Sequence, residues 1–274
     1  MGLFRKLAKF IEEETGIRMP PAKNIMLSGR LSKRVRVLGL ESLEDCVDYL
    51  FGEEGKVKEM SHFIDAVTTN KTEFFRERYQ MDYLGGQGLY ELTRTFGDEL
   101  RLWSAPVSEG HEAYSLAMKL EQWCETCMPG LRYSILGVDL SEGALKRATS
   151  GIYPINEVTP MSEEFRKKYL LKKDTEKGGI VRVVPKLRDK VSFRRLNLMD
   201  EYYAVPLSFR SAHVIFCRNV LIYFDKERKE QVVRKLLTHL LPGGLFFSGA
   251  SESLTGMDLP LESVDSSIYR RLED

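Results

Sequence analysis

No uninterrupted apolar run in this sequence approaches the ~20 residues that a membrane-spanning helix needs, so direct membrane insertion is not expected. Cysteine is scarce, with residues at 46, 124, 127 and 217 only. Cys217 falls in a strand-like apolar run and the other three in helical patterns, which argues against a disulfide framework. Cys124 and Cys127 have the spacing of a zinc knuckle or a redox pair. A zinc site would need a second such pair, and neither Cys46 nor Cys217 has a close Cys or His in sequence. The pair therefore reads as packing at a helix end, and no metal is expected. An excess of one charge is also missing, since Lys+Arg total 41 against Asp+Glu 40. Such a balance gives no global attraction to nucleic acid or to a membrane surface. Internal repeats and low-complexity tracts are absent. The opening residues 1–6 lead into an amphipathic helix with no signal-peptide core, so a cytoplasmic location is expected.

What the chain does have is 43% hydrophobic residues in 274, enough to bury a full core. Residues 1–68 show helical periodicity alone: Leu3, Leu7, Phe10 and Ile11; then 25–37; then Leu43, Cys46, Val47 and Leu50; then Met60, Phe63, Ile64 and Val67. An all-helical N-terminal domain is expected there, followed by a linker and helix at 69–98. From residue 99 to 274, apolar β runs at 102–105, 134–138, 191–196, 212–217 and 245–249 alternate with helices. This pattern predicts an α/β domain with a mainly parallel, Rossmann-like sheet. The stretch of about 151–190 is too long and too charged for a plain crossover. A helical pattern at 162–171, a polar turn at 172–179 and a β run at 180–184 make it a small inserted subdomain, partly β-hairpin.

Two segments, 104–115 and 215–225, each carry an apolar run into small and polar residues and then a helix. An open α/β sheet binds its ligands at such strand ends, so both point to a nucleotide-like cofactor. Glu112 opens a helix just after Gly110, where it either favours the helix dipole or meets a ligand beside free N–H groups. Asp139 ends the next strand. Ser141 can cap the following helix by itself, which leaves Asp139 for ribose hydroxyls. Asn197 and Leu198, followed by Asp200, bring an amide and an apolar contact to a third strand end, a combination suited to adenine. Arg218, Asn219 and Tyr223 follow a fully apolar strand on the same edge. Asn70, Thr72 and Arg76 sit at the junction of the two domains, in a segment that alone reads as a capped linker helix with Phe74-Phe75 as its apolar anchor. Gly85-Gly86-Gln87-Gly88 follows no hydrophobic strand and reads as a turn or helix start, not as a phosphate loop.

Together these residues resemble one family, the chemotaxis receptor methyltransferases (CheR). The likeness runs through 69–77 (Thr-Asn-Lys-Thr-Glu-Phe-Phe-Arg-Glu), the Ser-x-Gly-x-Glu-x-Tyr-Ser segment at 108–115, Gly151-Ile152-Tyr153 and 216–225 (Phe-Cys-Arg-Asn-Val-Leu-Ile-Tyr-Phe-Asp). It implies a class I S-adenosylmethionine-dependent methyltransferase domain with a small β-subdomain, behind a helical domain. It also implies methyl transfer to glutamate side chains of methyl-accepting chemotaxis receptors, with S-adenosylhomocysteine as product. Carried over by motif, Asn70, Thr72, Arg76, Glu112, Asp139, Asn197, Leu198, Arg218 and Asn219 would line the cofactor site, and Arg76 and Tyr223 would face the methyl group. Arg30, Lys33, Arg34 and Arg36 would dock the acidic receptor cytoplasmic domain. A monomer is expected. A non-catalytic S-adenosylmethionine-binding sensor is the alternative, and base methylation is disfavoured by the lack of an Asn-Pro-Pro-Tyr turn.

One departure stands out. The family commonly shows Gly-Glu-Glu-Pro-Tyr-Ser where this chain has Gly110-His111-Glu112-Ala113-Tyr114-Ser115, and the preceding loop is a residue longer. Only Glu112 remains as an acidic ligand, and His111 is expected on the helix surface.

Overall fold

The computed structural model describes residues 2–68, 71–174 and 178–273. Its first part is the expected helical domain: α1 (Leu3–Thr15), α2 (Asn24–Leu38), α3 (Leu43–Phe51), α4 (Glu53–Lys58) and α5 (Met60–Val67). Leu7, Ile11, Leu27, Leu31, Val47, Leu50, Phe63, Ile64 and Val67 form its core. Helix α3 starts in a capping box, with Ser42 and Asp45 each satisfying the other's backbone N–H.

The linker yields α6 (Arg78–Tyr83) and α7 (Leu89–Phe96), joined without a break by one π turn at Leu84–Gly88. The glycine cluster is therefore helix interior, and not the turn or helix start expected from its composition. At Gly88 a Cβ would lie a tight 3.3 Å from the Tyr83 carbonyl and in ordinary contact with Leu245 at 3.4 Å.

Beyond it come β1 (Glu99–Ser104), α8 (His111–Thr126), β2 (Arg132–Asp139) and α9 (Glu142–Ser150). Then follow β3 (Ile152–Pro154), α10 (Glu163–Tyr169), β4 (Leu170–Lys173), β5 (Ile180–Val183), α11 (Pro185–Arg188) and β6 (Val191–Arg195). The chain closes with β7 (Ala212–Cys217), α12 (Lys226–Leu237), β8 (Leu240–Ser248), β9 (Leu261–Asp265) and β10 (Ile268–Arg271). The main sheet runs β6-β2-β1-β7-β8-β10-β9. Strands β6, β2, β1, β7 and β8 are parallel, while β10 pairs antiparallel with β8 and β9. The C-terminal hairpin was not legible in the sequence, because its strands are short and largely exposed on one side. In β7 all six residues are buried, as a strand covered on both faces must be.

The insertion is a three-stranded antiparallel sheet, β3-β5-β4. The helix expected over 162–171 ends at Tyr169, because Leu170–Lys173 pair with β5 instead. Residues 175–177 of the polar turn lie outside the described residues.

The chain leaves β1 toward β2 and β6 on one side and later returns to β7 and β8 on the other. The carboxyl ends of β1, β2, β6 and β7 therefore face one edge across a topological switch point. The helical domain is fastened over this edge. Asp65 accepts hydrogen bonds from Ser141 Oγ and Gly143 N at the start of α9. Arg228 pairs with Glu12, and Arg18 N donates to the Tyr223 carbonyl. Gly16, at φ 72°, sits so close that a Cβ would meet Met199 Sδ at 2.5 Å.

Candidate functional site

Between this edge and the helical domain lies an open cleft of about 640 Å³, counting its mouth. Thr15, Ile17 and Thr68 close one side. The other is formed by Ser108, Asp139, Asn197, Leu198, Asn219 and Tyr223, with apolar wall from Val138, Leu140 and Leu196.

Asp139 lies at the end of β2 and is only 6% exposed. Its Oδ2 accepts from Ser108 N at 2.7 Å and its Oδ1 from Ser141 N at 2.9 Å. Burial pushes this carboxyl up to about 6, and those backbone N–H groups hold it from going further. Ser141 caps α9 through Ala144 N, which leaves Asp139 free of that duty as expected. The Leu140 N–H also reaches this carboxylate, and its four lone pairs still leave room for a further donor.

Asn197 and Leu198 reach the cleft as the sequence suggested, but the Asn197 amide has other work. Its Nδ2 donates to the Glu14 carbonyl at 2.6 Å, and its Oδ1 accepts from Met199 N at 3.0 Å. This side chain ties the sheet edge to α1.

Glu112 and Arg218 lie behind the cleft wall. Arg218 is 4% exposed, and it donates Nε to Glu112 Oε2 at 2.7 Å, Nη1 to Gln80 Oε1 at 2.8 Å and Nη2 to the Arg76 carbonyl at 3.0 Å. Ser104 Oγ donates to the other Glu112 oxygen at 2.7 Å. The guanidinium thus joins the ends of β1 and β7 to the linker.

The segment 71–77 is not the capped helix its composition allows. It is a turn, and helix begins only at Arg78. Asn70 lies outside the described residues. Thr72 and Arg76 are half-buried, with Arg76 Nη1 donating to the Lys71 carbonyl at 2.9 Å. Phe74 does anchor the turn, with its ring packed 4.7 Å from His111 and 5.1 Å from Tyr153. Phe75 and Glu77 have φ of 56° and 53°, Ser108 of 50° and Asn219 of 61°. Ser108 and Asn219 line the cleft, where backbone strain is commonly held for function.

His111 is not on the helix surface. It is 1% exposed, because the Phe74 and Tyr153 rings close over it. Its Nε2 meets Glu157 Oε2 at 3.0 Å, while Nδ1 is buried without a partner. Burial is the main reason its pKa is pushed down to about 4. Glu109, His111 and Glu157 could surround a cation, yet Arg147 already bridges the two carboxylates.

Two cations expected to dock a partner are used inside the helical domain. Arg34 forms a two-pronged bond to Glu59, with Nε and Nη2 at 3.1 and 2.7 Å from Oε2. Arg30 Nη1 donates to the carbonyls of Ala66 and Thr68, at the end of α5. Lys33 and Arg36 are exposed on α2.

Sequence reasoning missed Glu77 and Glu252. Glu252 is fully buried and accepts from the backbone of Gly249, Asn219 and Ile222. The available signal was position: an acidic residue four places beyond the carboxyl end of β8, on the same edge as the others.

Known proteins place this arrangement. The family model described as "CheR methyltransferase, SAM binding domain" matches residues 70–270, and "CheR methyltransferase, all-alpha domain" matches residues 3–68. Chemotaxis protein methyltransferase 2 of Pseudomonas aeruginosa is 34% identical over 266 residues, covering 97% of this chain and 91% of that protein. The chemotaxis protein methyltransferase of Salmonella typhimurium is 34% identical over 271 residues, covering 99% and 90%. That of Escherichia coli is 33% identical over 271 residues, covering 99% and 91%. No helix among the described residues is long and apolar enough to cross a membrane. The mainly parallel sheet with its switch point and the helical domain over it are thus those of a class I S-adenosylmethionine-dependent methyltransferase, and the chain belongs to the CheR methyltransferase family.

Proposed function

We propose that this protein methylates glutamate side chains of chemotaxis receptors from S-adenosylmethionine, giving glutamyl methyl esters and S-adenosylhomocysteine. The observation that carries the reading is the cleft itself. A carboxylate with room for one more donor, Asp139, lines it beside an apolar wall at the carboxyl edge of a parallel sheet, together with Tyr223.

The residues present fit the cofactor. Asp139 would hold the ribose hydroxyls, and Leu140, Leu196 and Leu198 would flank the adenine. Glu112, fixed by Arg218 and Ser104, would face the cofactor's amino group from behind the wall. When bound, S-adenosylmethionine supplies an electrophilic methyl group on a sulfonium that departs as a neutral thioether.

A glutamate of ordinary pKa, ~4.3, is already an anionic nucleophile at neutral pH, so no general base is required. The task left to the protein is alignment and the exclusion of water. Arg76 and Tyr223 would serve it: one of them would hold a carboxylate oxygen of the receptor glutamate while the other oxygen attacks. Tyr223 is itself held in place, since Lys23 Nζ lies 4.9 Å from its ring centroid and its carbonyl accepts from Arg18 N. The receptor partner would dock its acidic surface against the free cations Lys33 and Arg36 of α2.

The test is incubation with methyl-labelled S-adenosylmethionine and a receptor signalling domain, then mild alkali. Release of the label as volatile methanol is expected. Alkali-stable label would overturn carboxylate methylation, and tight cofactor binding with no label would favour a non-catalytic sensor. Undiminished turnover in Tyr223→Phe would remove that hydroxyl from the mechanism.

A further inference from the structure

Loop 218–223 carries Asn219 and Tyr223 to the cleft, and nothing in its own sequence explains how it keeps its shape. Asn219 has a left-handed φ of 61°, a conformation that costs any residue with a Cβ. The support comes from the next strand of the sheet. After β8 ends at Ser248, the chain turns at Gly249 and sends Glu252 back beneath the loop.

Glu252 is wholly buried. Its Oε2 accepts from Asn219 N at 2.7 Å and Gly249 N at 2.8 Å, and its Oε1 from Ile222 N at 3.1 Å. A carboxylate removed from water is tolerated only when its lone pairs are met, and backbone N–H groups meet them here. Gly249 is part of the device, because a Cβ there would lie 2.4 Å from Glu252 Oε2. Glu77 in turn accepts from Asn219 Nδ2 at 3.1 Å and from Ala250 N at 3.0 Å. Asn219 is thereby held by two carboxylates, one on its backbone and one on its side chain. Glu252 does not itself line the cleft.

We propose that Glu252 is a positioning residue for methyl transfer. By gripping the backbone of 219 and 222 it sets where Asn219 and Tyr223 stand against the cofactor. The inference rests on the methyl-transfer reading above for its kinetic consequence, but not for its effect on cofactor binding.

Glu252→Gln conserves the shape and replaces one acceptor oxygen by an NH₂ group, which cannot face the N–H donors. Losing charge-assisted bonds of this kind should weaken S-adenosylhomocysteine binding roughly tenfold or more. The control is Val233→Ala, a buried truncation in α12 remote from the loop. Both proteins are compared by thermal unfolding, by calorimetric titration with S-adenosylhomocysteine and by turnover. The expected result is that Glu252→Gln loses cofactor affinity and kcat well beyond Val233→Ala at a similar drop in Tm. Wild-type affinity in Glu252→Gln would overturn the proposal. Should Glu252→Gln fail to fold, Gly249→Ala displaces the same carboxylate with its charge kept, and unchanged affinity there would overturn the proposal equally. If the wild type releases no methanol from the receptor, the substrate reading fails, while the titration still decides the role of Glu252.

Discussion

Acid should unfold this protein partly through one residue, His111. The ring is 1% exposed, packed 4.7 Å from Phe74 and 4.6 Å from Tyr153, and its pKa falls from 6.5 to about 4 chiefly through burial, with Glu157 opposing the shift. The bare Nδ1 explains the direction: the neutral ring donates from Nε2 to Glu157, whereas a protonated ring would bury a second N–H with nothing to receive it. Because the folded pKa lies below the unfolded one, the unfolded chain binds the proton first as pH drops through 6.5. Stability from this group is full above 6.5 and is lost toward 4. At ~1.36 kcal/mol per unit, the loss between pH 7 and pH 5 is about 2 kcal/mol. His111→Gln can still donate to Glu157 but cannot titrate. Urea unfolding of both proteins at pH 7, 6 and 5 should therefore show the wild type losing about 2 kcal/mol relative to the variant over that span. A stability difference that stays flat with pH, or a His111 pKa near 6.5 by NMR in the folded protein, would refute the reasoning.

Asp139 predicts a pH dependence with the opposite sign. Its folded pKa is raised from 3.8 to about 6, so its own contribution to stability declines as pH rises across that window, while a cofactor that needs the carboxylate binds better. S-adenosylhomocysteine titrations should show Kd rising up to about tenfold per pH unit below about 6; Asp139→Asn should bind weakly, with this dependence removed. Gly110→Ala should lower Tm markedly by calorimetry, because at φ 91° the added Cβ lies 2.9 Å from Ala148 Cβ and 3.0 Å from Ala148 Cα, and the left-handed conformation alone costs about 1–2 kcal/mol. An unchanged Tm would mean that this turn can relax. Reversing Lys33 and Arg36 to Glu should slow receptor methylation several-fold at low ionic strength and little at 0.5 M salt, with S-adenosylhomocysteine affinity intact; a salt-independent rate would remove α2 from docking. Arg34→Glu should instead destabilise the fold, because Arg34 is paired with Glu59 at 2.7 Å.

Periodicity along the chain determined much of this protein: helices alone up to residue 68, then strands alternating with helices, with an insertion where the crossover grew long and charged. Local chemistry likewise determined that Asp139, Leu198, Asn219 and Tyr223 would gather at one edge, since each follows a strand and parallel strands share a carboxyl edge. The tertiary structure decided what depends on partners distant in sequence. His111 looked like a surface residue on an α8 face until Phe74 and Tyr153 were brought over it. Arg34 looked free to dock a partner until Glu59, 25 residues on, was packed against it. The segment 71–77 has the composition of a helix start, but the Phe74 anchor and the Arg218 bond to the Arg76 carbonyl pull it into a strained turn. Glu252 showed in the sequence only by its position beyond a strand end, and its role depended on the pairing of β7 with β8 that brings it under Asn219. Patterning reports which face of an element is buried. Which polar groups meet there depends on the packing of elements that the sequence places far apart.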